Sequence, residues 1–106
     1  MNPLELEIIK YLDSLKLEEN ALKLLNELKD NILRDGGKID GYAVAEMLFT
    51  FNRQELRINK NLNSTIILAR FDIYFKEVEE SSLIGYYDYV VDFSGNFIDE
   101  FFVIEK

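Results

Sequence analysis

The sequence predicts a single α+β domain over residues 1–106: about three helices in 1–60, packed on one face of a three-stranded antiparallel β-meander in 64–106. Three observations carry this prediction. Apolar residues recur at helical spacing up to about residue 58; the period changes to two after Ser64; and Ser94-Gly95-Asn96 separates the last two apolar runs as a hairpin turn. A chain of 106 residues buries roughly 65% of its unfolded surface, enough for one core without staples.

Asn2-Pro3-Leu4-Glu5 reads as a helix start, with Asn2 as cap, Pro3 at the first helical position and Glu5 closing a capping box. Leu4, Ile8, Tyr11, Leu12 and Leu15 then mark one face, and a break is expected near Lys16. The stretch from Glu18 to Asp35 is the most helical, with Ala21, Leu24, Leu25, Leu28 and Ile32 on its apolar side and Gly36-Gly37 as its stop. A third helix is expected from Asp40, acting as cap, to near Ile58, with Tyr42, Ala45, Leu48, Phe49 and Leu56 on its face. Residues 59–64 form a turn-rich connector.

The first expected strand places Ile67, Ala69, Phe71, Ile73 and Phe75 on one face and Arg70, Asp72, Tyr74 and Lys76 on the other. Glu77 to Ser82 is a polar turn. In the second strand Tyr87, Tyr89, Val91 and Phe93 oppose Tyr86, Asp88, Val90 and Asp92. The third strand runs from Phe97 to Glu105, and Val90, Ile98, Phe102 and Ile104 are expected to join Tyr74 and Tyr86 on the outer face of the sheet.

Composition removes many functions. The chain has no cysteine and no histidine, which excludes disulfides, thiolate catalysis and Cys-type zinc sites, and takes away the commonest general base. No run approaches the roughly 20 apolar residues of a membrane helix, and the acidic N-terminus lacks the pattern of a signal peptide. A cytoplasmic protein without membrane contact is expected. Asp88 and Asp92 share a strand face, but such pairs follow from acid-rich composition, so no catalytic residue is assigned and an enzyme is the least favoured class. No loop has the spaced oxygen donors of a calcium site, and Gly36-Gly37 and Gly41 match no phosphate-loop pattern. No metal or other cofactor is expected. The formal net charge of −8 opposes direct binding of nucleic acid.

The charge is uneven. Residues 61–106 hold three basic and nine acidic residues, a net of −6, interleaved with ten aromatics. Acid and tyrosine on one surface suit a basic protein partner. The candidate contacts are Asp72, Tyr74, Tyr86, Asp88, Asp92, Asp99 and Glu100. Tyrosine supplies anchors at low entropic cost, and the acids pair with Lys or Arg of the partner.

Gly85-Tyr86-Tyr87-Asp88-Tyr89-Val90-Val91-Asp92, the Ser94-Gly95-Asn96 turn and Phe97-Ile98-Asp99-Glu100, in a small acidic chain free of His and Cys, resemble the immunity proteins of bacterial contact-dependent and polymorphic toxin systems. The resemblance covers the character of the whole chain and transfers no individual residue. It implies a cytoplasmic protein that binds and blocks one cognate toxin, often a basic nuclease. The rival expectations are a nucleic-acid mimic that occupies a DNA- or RNA-binding protein, and a self-associating structural or small-ligand-binding domain. In isolation a monomer or weak homodimer is expected.

Overall fold

Asn2 Oδ1 accepts the Glu5 backbone N–H at 2.8 Å, and Asn2 Nδ2 donates to Glu5 Oε1 at 2.8 Å. That reciprocal cap opens helix α1, Pro3–Ser14. The computed structural model describes residues 1–77 and 80–105. Val78 and Glu79, inside the expected polar turn, lie outside the described residues, as does Lys106. Lys16 takes left-handed backbone, φ 52°, and turns the chain from α1 into helix α2, Leu17–Arg34. Gly36, at φ 108°, and the Gly37 N–H, donated to Ile32 O at 2.8 Å, close α2.

The expected third helix is overturned. Lys38–Ile39 (β1) and Tyr42–Ala43 (β2) form a small antiparallel pair, followed by a 3-10 turn at Val44–Glu46. Asp40 and Gly41, both at positive φ (49° and 85°), are the two central residues of a tight hairpin, not a helix cap. Met47–Asn59 is a 13-residue strand, β3. It pairs along its whole length with β4, Ser64–Lys76. Met47, Phe49 and Phe51 alternate with Leu48 and Thr50, and pairing with β4 buries the former. That long-range gain outweighs the helical spacing of Ala45 and Leu48, which are exposed. The connector at 59–64 is thus the β3–β4 turn, where Asn63 has φ 48° and Asn59 Oδ1 accepts the Leu62 N–H at 3.1 Å.

β5, Ser81–Asp92, and β6, Phe97–Ile104, complete a four-stranded antiparallel sheet of order β3-β4-β5-β6. The molecule is therefore α+β with two helices and a four-stranded meander, in place of the expected three and three. The helices cover one face, here the inner face. Leu17, Ala21 and Leu25 pack there with Ile67, Ala69, Phe71, Ile73, Tyr87 and Val91, all at most 3% exposed.

Three register shifts interrupt the sheet, at Phe51/Arg53, Ile73/Tyr74 and Val90/Val91. Each leaves one strand with an extra residue: Asn52, Ile84 and Ile98 respectively. The last one resets β6. Phe102, paired with Tyr87, and Ile104, paired with Gly85, lie on the inner face, while Phe101 and Val103 lie outside opposite Asp88 and Tyr86. The expectation that Phe102 and Ile104 join the outer face is corrected accordingly. Strict alternation from Ile98 gives the wrong phase, because Ile98 and Asp99 both point outward across the bulge.

The expected face of α1 also needs correction. Leu12 is buried and Tyr11 and Leu15 pack on the core, but Leu4 is 70% exposed.

Candidate functional site

Arg70 and Asp88 stand opposite each other on β4 and β5, on the outer face, which no helix among the described residues covers. Arg70 Nε donates to Asp88 Oδ1 and Nη2 to Oδ2, each at 2.7 Å. The bidentate fork is the strong form of this pair. Tyr86, next along the face on β5, lies under the guanidinium, whose carbon is 3.9 Å from the ring centroid. The Asp88 hydrogen bonds hold the Arg70 guanidinium even more firmly charged than usual, against the opposing effect of burial.

Around this pair the face sinks into a depression of about 420 Å³. Ile66, Leu68 and Val90 form its apolar floor beside the ion pair, with Arg57, Ile98, Asp99 and Phe101 around it. Leu68 and Val90 are buried although no second layer lies above them. Their neighbours on the same sheet shield them: Leu68 sits between Glu55 and Val90, and Val90 opposite Asp99. Farther along the face, Leu48 and Leu83 flank Tyr74 and are 50% and 54% exposed.

The seven residues chosen from the sequence have different fates. Tyr86, Asp88 and Asp99 come together in the depression. Asp72 and Tyr74 lie on the same face toward β3, where Asp72 accepts a hydrogen bond from Asn52 Nδ2 at 2.9 Å. Asp92 is committed to the β5–β6 turn, where its carboxylate accepts the Ser94 and Asn96 N–H groups, both at 2.9 Å. The Asn96 backbone bond is the main reason its carboxyl lies below the usual range. Glu100 is on the opposite, inner face and accepts the Tyr87 hydroxyl at 2.6 Å. Burial above all, then that bond to Glu100, pushes the Tyr87 phenol well up from its ordinary value.

Sequence reasoning missed Arg70 and Phe101 as site residues. Arg70 had a signal: it is the lone cation on its face of β4 between Ile66 and Tyr74, which puts it opposite an acid of β5. Phe101 had none, since only the Ile98 bulge turns it outward. Arg57 and Arg53 flank Glu55 on β3, and its carboxyl is lowered chiefly by the hydrogen bond from Arg57. Among the described residues no group of three His, Cys, Asp or Glu side chains is placed to hold a metal ion, and no helix is long and apolar enough to cross a membrane.

Comparison with known proteins gives no match: no family model, no curated protein and no solved structure. The candidate site therefore rests on its own geometry.

A second concavity of about 300 Å³ lies on the inner side, between the middle of α1 and the far end of the sheet. Ile8, Tyr11, Leu56, Ile58 and Phe93 line it, and the Tyr11 hydroxyl donates to the Phe93 carbonyl. It is almost wholly apolar, with Glu7 as its one charged neighbour.

Proposed function

We propose that this chain is an immunity-type binding protein that acts in the cytoplasm and neutralises a cognate, basic bacterial toxin by docking on it with the outer face of the sheet. The observation that carries this reading is the composition of that uncovered face. A partly buried Arg70–Asp88 pair sits in its depression beside Phe101, which is 48% exposed, and farther along the same face Leu48 and Leu83 are 50% and 54% exposed. Large apolar side chains left exposed along one face, beside a partly buried charge pair, suit a protein-binding surface. A charge pair already hydrogen-bonded within one molecule costs less to cover than a lone charge, which would lose its hydration with nothing in return. Asp99 and the net charge of −8 supply attraction for a basic partner.

The same geometry weakens the nucleic-acid-mimic reading. Asp88 is neutralised by Arg70, Asp92 is folded into a turn and Glu100 faces inward, so these acids do not form an outward row resembling phosphates. The reading assigns no catalytic residue.

Binding kinetics against the toxin domain encoded beside this chain's gene test the proposal. Association slows as salt rises, and Asp99→Lys slows it further. Tyr86→Ala and Phe101→Ala act mainly by speeding dissociation. Charge reversal at Glu19 or Glu27, on exposed α2 positions, leaves both rates nearly unchanged. If the α2 reversals matter more than Phe101→Ala and Asp99→Lys, the helices form the interface and the assignment of the sheet is wrong.

A further inference from the structure

The two edges of the sheet are built differently. β3 carries Arg53, Glu55 and Arg57 in a salt-bridged row and a bulge at Asn52, devices that discourage another strand from pairing. β6 ends in Phe101-Phe102-Val103-Ile104, four consecutive residues without charge.

The direction of β6's free backbone groups follows from its register. The Glu105 N–H bonds Ile84 O at 2.8 Å. Hydrogen-bonded and non-bonded pairs alternate in an antiparallel ladder, so the Gly85–Ile104, Tyr87–Phe102 and Tyr89–Glu100 pairs are the non-bonded ones. The N–H and C=O groups of Glu100, Phe102 and Ile104 therefore point away from β5. The Glu100 N–H confirms the direction, since it is bonded to Asp99 Oδ1 at 2.8 Å rather than to β5.

We infer that the free edge of β6 receives an extended, basic segment of a partner protein as a fifth, main-chain-paired strand. The inference rests on the partner-docking reading above and adds the mode of docking. Charge selects the occupant. The charged residues of β6 are Asp99 and Glu100, and Glu105 follows. A second copy would bring the same negative charges and its own net −8, whereas a strand bearing Lys or Arg meets them with the opposite sign. Side chains of the incoming strand on the outer face would continue past Phe101 and Asp99 into the depression, so edge and face form one surface.

An eight-residue peptide of alternating lysine and valine serves as probe, with the full chain as receptor. Amide exchange is followed residue by residue by NMR. The peptide is expected to slow exchange at Phe102 and Ile104 saturably, without affecting β3 amides. A version N-methylated on every second residue is expected to bind about tenfold more weakly, because it cannot complete the ladder. Replacing its lysines by glutamates, or Asp99→Lys in the protein, is expected to weaken binding several-fold. The inference is overturned if the peptide gives no protection at Phe102 and Ile104, if N-methylation makes no difference, or if these amides become protected without peptide as protein concentration rises, which would put a second copy on the edge. Failure of the docking reading looks different: there, toxin binding ignores Tyr86→Ala and Phe101→Ala whatever the peptide does.

Discussion

Tyr87 joins the core to the acid-rich strand β6. Its ring is fully buried between Phe71 and Phe102, and its hydroxyl reaches Glu100. Ionising this phenol would place a second negative charge beside a carboxylate in a desolvated site. The folded-state pKa is therefore raised, and Tyr89 shifts in the same direction through burial alone. The contribution to stability is fully present below the unfolded tyrosine value of about 10 and is lost as pH rises beyond it, where the unfolded chain releases protons that the folded one retains. Urea unfolding followed from neutral pH to pH 11 is expected to show this alkaline decline. Tyr87→Phe should flatten much of it while lowering stability at neutral pH by about 1 kcal/mol, since Glu100 loses its donor. An unchanged alkaline limb in Tyr87→Phe would place the titration elsewhere. Arg70 and Asp88 are a contrasting case, because on the bare side of the sheet each charge is met by the other through two hydrogen bonds.

Among the elements, legibility depended on whether the deciding interactions were local. The Asn2 cap, the Gly36-Gly37 stop and the Ser94-Gly95-Asn96 turn are written in short-range chemistry, and each appears in the structure. The inner face of β4 was also readable, because Ile67 to Phe75 alternate without interruption. β3 was not, since its strand character comes from pairing with residues up to 28 positions away, as in Met47 with Phe75. The Asp40-Gly41 pair did carry a hairpin signal, but a helix cap uses the same residue types. The phase of β6 was beyond reach, because nothing in Phe97-Ile98-Asp99 announces a bulge. Gly85 shows how tightly β5 and β6 then fit: a Cβ there would lie 1.8 Å from the Val103 carbonyl oxygen. Gly85→Ala must push the two backbones apart, and is expected to cost about 1–3 kcal/mol. The check is a urea midpoint that falls at constant slope. A midpoint equal to that of the unaltered chain would mean that β6 is not held against β5 at this point.

The whole molecule has two unlike sides. The helices seal one face of the sheet, while the other keeps Ile98 and Phe101 about half exposed at a depression and Leu48 and Leu83 about half exposed farther along. Apolar surface of this kind drives self-association, and a net charge of −8 on every copy opposes it. Screening decides the balance, because the field of each copy extends only about 8 Å at physiological ionic strength. The chain is therefore expected to be monomeric at low salt and to form a weak dimer as salt and concentration rise. Sedimentation equilibrium at low and high salt measures this directly. Leu83→Lys adds a charge on the outer face away from the β6 edge and is expected to abolish the salt-induced dimer while leaving the fold intact, as exposed changes usually cost under about 0.5 kcal/mol. If the dimer persists in Leu83→Lys, the outer face is not the surface that copies share, and the apolar concavity between α1 and the end of β3 becomes the surface to alter next, beginning with Ile58→Lys, at a position 69% exposed.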